Sequence, residues 1–170
     1  MLYFAYGSNM SSRRLQQRIL TVRSLGTAIL HGHQLRFHKM GSDGSGKCDA
    51  YCTDVYDDVI HGVLFEIDDA GKATLDGIEG LGFGYDDKEV EVLHGGSEVR
   101  AVTYIATRID EKRQPFAWYH QHVVVGAQEA ELPEAYLRNI LDVTVIDDPD
   151  PIRHAKELAI YEHVLAEKAL

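Results

Sequence analysis

The sequence predicts an α+β fold, a small and partly closed mixed β-barrel with peripheral helices and an extra C-terminal helix. Strand-like segments dominate the chain up to residue 106, and helical patterns interrupt and follow them instead of alternating with them. A length of 170 residues with 45% hydrophobic residues fits one domain with a substantial core. Periodicity predicts the strands but does not establish that the barrel closes.

Seven segments have the composition or alternation of β-strands. In 85–93, for example, Val90 and Val92 alternate with glutamates, and the following His94-Gly95-Gly96 predicts a hairpin turn into the next strand. A stretch rich in glycine and serine, 41–46, is expected to be a loop. The predicted strands are 2–6, 22–30, 34–40, 48–55, 60–67, 85–93 and 98–106.

Helices are expected between and after these strands. Ser11 and Asp68 stand where helices are expected to begin, since serine and acidic residues favour helix starts. The predicted helices are 13–20, 68–75, 116–128, 134–141 and 152–170, the last with Leu158, Tyr161 and Leu165 on one stripe. We therefore predict a domain over 1–146, followed over 147–170 by an acidic linker and a C-terminal helix that packs on it or extends from it.

The charge balance narrows the classes of partner. The chain carries 17 basic and 27 acidic side chains, a net charge of −10. This balance argues against a nucleic-acid groove or an anionic membrane surface as the partner. The first residues lack the features of a signal peptide, and no apolar run approaches the roughly 20 residues that cross a bilayer. We expect a cytoplasmic protein that acts on a small molecule.

The tetrapeptide Tyr6-Gly7-Ser8-Asn9 directly follows the first strand. A strand that ends in this way forms a tight turn with several free backbone N–H groups, which can hold a carboxylate or a carbonyl oxygen. Gly7 is expected to adopt a positive φ that aims these groups together. Taken alone, the motif fits an ordinary polar turn between a strand and a helix equally well.

Glu79 is the second candidate for chemistry. It lies in Leu75-Asp76-Gly77-Ile78-Glu79-Gly80, expected just after a helix and ahead of the glycine-rich loop 80–84. Glycines leave room for a ligand, and partial burial among apolar neighbours favours the protonated form of a carboxylate, which suits a group that passes protons. The alternative is a loop glutamate exposed to water.

The segment from Tyr3 to Asn9 resembles the signature of the gamma-glutamylcyclotransferase family, and Glu79 matches the glutamate that this family uses for catalysis. The correspondence runs from about Leu2 to Ile140, and the joint order and spacing of its motifs carry the resemblance. Beyond Asp147 nothing aligns, so the C-terminal helix inherits no role. Further matching positions are Gly62-Val63, Gly84-Tyr85, Ala101-x-x-Tyr104, Pro115-x-x-x-Tyr119, Gly126-Ala127 and Leu132-Pro133.

The resemblance implies a gamma-glutamyl cyclotransferase-like fold and an intramolecular transamidation that needs no cofactor. The free α-amine of a γ-glutamyl compound attacks its own γ-carbonyl, which yields 5-oxoproline and a released amine. Glu79 is the implied catalytic acid and base. One of Tyr3 and Tyr6 is expected to pack while the other faces the pocket. The residues expected to bind substrate are Tyr3, Phe4, Ala5, Tyr6, Gly7, Ser8, Asn9, Tyr85 and Tyr119.

Several alternatives stay open at this point. The chain is either an enzyme or a non-catalytic binding or regulatory module of the same fold, and the presence of Glu79 favours the enzyme. The substrate is a γ-glutamyl amino acid, a γ-glutamyl amine or a γ-glutamyl-protected biosynthetic intermediate. The oligomeric state is open, with a homodimer as one alternative.

Nine histidines raise a third alternative, a metal-dependent hydrolase. His31-x-His33 and His120-x-His122 have ligand-like spacing, yet residues two apart on a helix point in different directions. Neither a CxxC nor an HExxH motif supports a metal site. Cys48 and Cys52 are four residues apart, and a reducing compartment disfavours a disulfide between them. We expect neither a metal nor a disulfide.

Overall fold

Seven β-strands form a five-stranded barrel and a separate two-stranded sheet. The strands are β1 (Leu2–Ala5), β2 (Val22–His31), β3 (His33–Met40), β4 (Gly46–Cys52), β5 (Val59–Ile67), β6 (Tyr85–His94) and β7 (Ser97–Ala106). In the computed structural model, which describes residues 1–161, the order around the barrel is β1-β5-β2-β6-β7, with β3 and β4 apart from it. The predicted mixed barrel is confirmed, and it is closed.

The closure depends on the first strand. β1 pairs antiparallel with β5 and parallel with β7, where Tyr3 lies opposite Val102. Every other pair in the barrel is antiparallel. The hydroxyl of Thr103 donates to the Phe4 carbonyl at 2.8 Å, which ties the same junction together. Because β1 has a partner on each side, its C-terminal end is fixed and the turn that follows has a defined position.

Most strand boundaries agree with prediction. The hairpin between β6 and β7 turns at Gly95 and Gly96, both with positive φ (58° and 84°), as a two-residue turn between twisted strands requires. The strand β4 differs: it begins inside the expected loop, because Gly46 pairs with Met40 of β3, and it ends at Cys52 instead of Val55.

Within residues 1–161, five α-helices surround the barrel: α1 (Ser12–Arg18), α2 (Asp69–Glu79), α3 (Ala117–Glu129), α4 (Glu134–Leu141) and α5 (Pro151–Leu158). The starts of α1 and α2 are capped as expected, by the side chains of Ser11 and Asp68. The predicted end of α2 at Leu75 is wrong. The helix continues to Gly80, whose left-handed conformation (φ 69°) ends it. Glu79 is therefore the last residue of a helix and not a loop residue.

Two contacts position the elements around the turn after β1. Ser8–Met10 form a short 3₁₀ helix that packs directly on α3, since a Cβ at Gly126 would lie only 2.5 Å from the Ser11 amide nitrogen. The strand β4 is held against β7 by Asp49, which accepts the Ala106 N–H at 2.8 Å and pairs with His38 at 2.9 Å. These contacts place α3 and β4 beside the turn.

The C-terminal segment packs on α1 and α3. A 3₁₀ turn, Ala159–Tyr161, follows α5, and the rest of the predicted helix, with Leu165, lies outside the described residues. The division of the chain near residue 146 stays a prediction. No helix within residues 1–161 has the length and apolar character to cross a membrane.

A buried polar network holds α5 in place. The Arg14 guanidinium on α1 lies 2.7 Å from His122 Nε2 on α3 and 2.6 Å from Glu157 on α5. His122 Nδ1 lies 2.8 Å from the Tyr161 hydroxyl, which in turn donates to Ser11. The His122 side chain is fully buried, and burial lowers its pKa to about 4.

We predict that His122 makes folding stability depend on pH. The unfolded histidine takes up its proton near pH 6.5 and the folded one near pH 4, so the free energy of unfolding falls as the pH drops through that window. His122→Gln should remove up to about 3 kcal/mol of this dependence. Urea unfolding at pH 7 and pH 4.5 measures it. His154→Gln on α5 is the control, and an equal acid-induced loss in His122→Gln and wild type would contradict the prediction.

Candidate active site

A cavity lies between the turn after β1, the strand β4, the end of α2 and the helix α3. It is small and partly open to solvent, and Glu79 is the one carboxylate among the described residues that line it. Eight of the ten predicted site residues line this cavity, together with two that were not predicted. The lining residues are Tyr3, Tyr6, Gly7, Ser8, Asn9, Cys48, Glu79, Tyr85, Tyr104 and Tyr119.

Phe4 and Ala5, which we also expected to bind substrate, do not line the cavity. Successive strand residues point to opposite faces, and Phe4 is fully buried where its ring covers Gly62 of β5. Ala5 is also buried, with 1% of its surface exposed. The expectation that only one of Tyr3 and Tyr6 would face the pocket is wrong, since both line it.

The Glu79 carboxylate is held by two donors on one oxygen. Arg18, at the end of α1, donates to Glu79 Oε1 at 2.9 Å, and Asn9 Nδ2 donates to the same oxygen at 3.1 Å. Both partners of the Arg18–Glu79 ion pair are mostly buried, with 19% and 15% of their side chains exposed. Charge-assisted hydrogen bonds of this kind are stronger than neutral ones and fix the orientation of the carboxylate.

Asn9 serves to organise this ion pair. Its Oδ1 accepts from Arg18 at 2.9 Å, while its Nδ2 donates to Glu79 and, at 2.9 Å, to the Tyr3 hydroxyl. A flipped amide would point its oxygen at the carboxylate and its NH₂ group at the guanidinium, so the charges on both sides fix its orientation. Both Nδ2 protons and the Oδ1 of Asn9 thus have partners, so a ligand at this position would contact the backbone of the turn.

Gly7 has a different role from the one predicted. Its φ is −115°, so the expected positive φ is wrong. The reason for glycine is steric: a Cβ would lie 2.9 Å from Cys48 Cβ and 3.6 Å from the Tyr119 hydroxyl. Gly7 thus allows β4 to approach the turn closely. The amides of Ser8 and Asn9, at the start of the 3₁₀ helix, have no backbone acceptor within residues 1–161.

The tyrosines supply neutral hydroxyl groups. Burial raises the pKa of each of the five that line the cavity, so all stay protonated. Tyr85 donates to the Cys48 carbonyl at 2.7 Å, which commits its proton. The Tyr119 hydroxyl accepts from the Cys48 amide at 3.0 Å and can donate its own proton to the thiol or to a ligand oxygen. Tyr119 is therefore the better ligand candidate.

The sequence motifs do not indicate Arg18, Cys48 and Tyr104 as members of the site. The helical pattern places Arg18 on a helix, but it does not show that the guanidinium reaches Glu79. Tyr104 was noted as a motif position, and its hydroxyl donates to Asp76 on α2 at 2.8 Å. Burial raises the pKa of the Cys48 thiol to about 12, so it is not a nucleophile.

The histidine pairs do not form a ligand cluster. Among residues 1–161, no group of three or more His, Cys, Asp or Glu side chains is arranged to hold a metal ion. His120 bonds to the Ile140 carbonyl, while His122 belongs to the polar network with Arg14. His163 lies outside the described residues. Cys48 and Cys52 are both free thiols.

Known proteins resemble this chain in sequence and in fold. The model of the AIG2-like family matches residues 59–140. Gamma-glutamylcyclotransferase from Mus musculus is 28% identical over 140 residues, which cover 79% of this chain and 74% of that protein. The Homo sapiens enzyme is 29% identical with the same coverage. A solved structure named gamma-glutamyl cyclotransferase superposes with a TM-score of 0.80 at 24% identity, covering 88% of this chain and 91% of that one.

This chain is similar to the gamma-glutamylcyclotransferases. The predicted resemblance to that family is confirmed, as is the fold, and the names of the similar proteins support a cyclotransferase-type enzyme. The AIG2-like match includes Glu79 and Tyr119 and begins after the Tyr6-Gly7-Ser8-Asn9 turn. In this chain, the two parts meet at the Asn9–Glu79 hydrogen bond.

We predict that Gly7→Ala destabilises the protein. The new methyl group would collide with Cys48, and overpacking of this kind costs about 1–3 kcal/mol. Gly77→Ala in α2 is the matched control, because a Cβ there has no neighbour within 4 Å and alanine favours the helix. Urea unfolding gives the free energy of unfolding of both variants. If Gly7→Ala is as stable as Gly77→Ala, the close approach of β4 is not a constraint.

Proposed function

We propose that this protein converts a γ-glutamyl amide into 5-oxoproline and a free amine. The α-amine of the substrate attacks its own γ-carbonyl, the new C–N bond closes a five-membered ring, and the bond to the leaving nitrogen breaks. The observation that carries the proposal is a single lining carboxylate, Glu79, hydrogen-bonded to Asn9 of the turn that resembles the family signature. The names of the relatives support the same reaction class.

The main requirement of the reaction is that the protein holds its substrate in one conformation. Nucleophile and electrophile belong to the same molecule, so a small cavity that accepts only a curled substrate brings them together. The cavity is partly open to solvent, so the leaving part of the substrate can extend outwards from it. Apart from Glu79, the lining side chains are neutral, so the cavity can exclude water around the reacting atoms.

Glu79 is proposed to carry the protons. It takes a proton from the substrate ammonium, which frees the amine for attack, and it returns one to the leaving nitrogen. Its bonds to Arg18 and Asn9 are both made by Oε1, and no hydrogen bond to Oε2 occurs within the described residues. Oε2 is thus available to the substrate while Oε1 anchors the carboxylate.

Backbone and phenol donors are proposed to hold the substrate oxygens. The amides of Ser8 and Asn9 lack backbone acceptors in the described part of the chain, and Tyr119 has a proton to donate. Such fixed donors stabilise a carboxylate or the oxyanion that develops during ring closure. Gly7, which leaves room for Cys48, sets the position of the Ser8 and Asn9 amides.

We predict that Glu79→Gln keeps the fold and loses turnover by a factor on the order of 10² to 10⁴, the usual contribution of general acid–base catalysis. Glutamine keeps the hydrogen-bonding shape but cannot accept a proton from the substrate. The measurement is 5-oxoproline formation, with the melting temperature as the check on folding. Glu98→Gln, an exposed glutamate on β7, is the control. Near-normal turnover in Glu79→Gln would favour a binding module or another base.

We predict that turnover survives treatment with a chelator and requires a free α-amine. The nitrogen of an N-acetylated substrate has a delocalised lone pair and cannot attack the γ-carbonyl. The measurement compares amine release from matched free and N-acetylated γ-glutamyl amides before and after chelation. Chelator-sensitive activity would support the metal-dependent hydrolase, and amine release from the acetylated substrate would contradict cyclisation.

A further inference from the structure

Arg18 contacts the candidate site through one of its three guanidinium nitrogens. Nη1 donates to Glu79 Oε1 and to Asn9 Oδ1, both at 2.9 Å. Nε and Nη2 make no hydrogen bond within residues 1–161, and neither is a buried atom without a partner, so both reach solvent. An arginine that pairs with a carboxylate frequently uses two parallel N–H groups. Arg18 instead shares the two hydrogens of one nitrogen between two acceptors, which ties Asn9 and Glu79 to each other.

This sharing restricts the rotation of the Glu79 carboxylate. Oε1 accepts from Arg18 and, at 3.1 Å, from Asn9 Nδ2, whereas Oε2 accepts no hydrogen bond in the described part of the chain. Rotation of the carboxylate would break both bonds, and the bond to Arg18 is charge-assisted. Both charged side chains are mostly buried, so water is a weak competitor for these contacts. The free oxygen therefore keeps one direction.

The packing of α1 sets the position of Arg18. The helix has seven residues, too few for stability by itself, so it depends on tertiary anchors. Leu15 is fully buried, and the Arg14 guanidinium contacts His122 and Glu157. Arg18 follows Arg14 by about one turn and ends the helix, where the helix dipole favours a cation. The place of Nη1 thus follows from the fold and needs no bound substrate.

We propose that Arg18 is a positioning residue for the reaction, acting through Glu79 and not on the substrate. The inference rests on the proposed function and deepens it. Arg18 is absent from the residues that line the cavity, while Glu79 lines it. By holding Oε1, Arg18 directs Oε2 at the α-amine and the leaving nitrogen in turn. A reacting group misplaced by about 1 Å costs on the order of 10²-fold in rate, so the effect belongs to kcat.

The use of a single nitrogen makes the role specific. A lysine ammonium also carries enough N–H groups on one nitrogen for both acceptors, whereas it cannot reproduce a bidentate guanidinium. Arg18→Lys should therefore recover most of the activity that Arg18→Met loses. An ordinary ion pair that only stabilises α1 against α2 would change the free energy of unfolding and leave kcat of the folded enzyme unchanged.

The first test measures 5-oxoproline formation from γ-glutamyl-alanine. Arg18→Met should lower kcat by about 10- to 100-fold and change KM less than threefold, and Arg18→Lys should return kcat to within about fivefold of wild type. Arg13→Met is the control, because it removes the same charge from another face of α1 and should alter neither value. Melting temperatures show which variants are folded. A folded Arg18→Met variant with wild-type kcat overturns the inference.

The second test repeats the substitution in the Glu79→Gln background. If Arg18 acts only through the carboxylate, Arg18→Met should lower the residual kcat of Glu79→Gln less than twofold, because the function it supports is already lost. An equal factor in both backgrounds overturns the inference, since the residue would then act on the substrate or on the fold.

Should Arg18→Met not fold, Arg18→Lys decides, and a folded lysine variant that loses tenfold or more contradicts the single-nitrogen contact. Absence of 5-oxoproline from every γ-glutamyl amide with wild type overturns the proposed function itself, and the inference with it.

Discussion

One carboxamide connects the parts of the fold that form the candidate site. Asn9 donates to Tyr3 of β1 and to Glu79 of α2, and it accepts from Arg18 of α1. Each of these side chains comes from a different element, and their geometry follows from where the turn after β1 is held. That turn is fixed by the closed barrel on one side and by α3 at Gly126 on the other. The orientation of Glu79 thus depends on the packing of the turn as well as on the charge of Arg18.

The electrostatic character of the cavity is simple. One ion pair, Arg18–Glu79, stands among phenols and a thiol that burial keeps neutral. A single pair of opposite charges costs less to bury than an isolated carboxylate, and Arg18 leaves one carboxylate oxygen uncommitted.

The sequence alone predicted the fold class and most elements, because alternation, caps and glycine turns are local signals. It also predicted eight of the residues that now line one cavity, although their grouping rested on a family resemblance and not on periodicity. The wrong predictions concern features that depend on the rest of the fold and not on neighbouring residues in the sequence. The extension of α2 to Glu79 depended on whether Gly77 or Gly80 ends the helix. The steric role of Gly7 depended on Cys48, 41 residues away, and the partners of Arg18 depended on the tertiary fold.

The pairing of β1 with β5 and β7 affects the order in which the molecule can form. Tyr3 pairs with Phe65 of β5 and with Val102 of β7. β1 can therefore complete its pairing only after these two later strands have been synthesised. Contacts between residues so far apart in the chain close large loops and slow folding. During synthesis, therefore, the apolar residues of β1 lack part of their native partners until β7 has left the ribosome. A ribosome-bound chain that stops before β7 would hold every side chain of the Asn9 hydrogen-bond cluster and still lack the strand that closes the barrel around it.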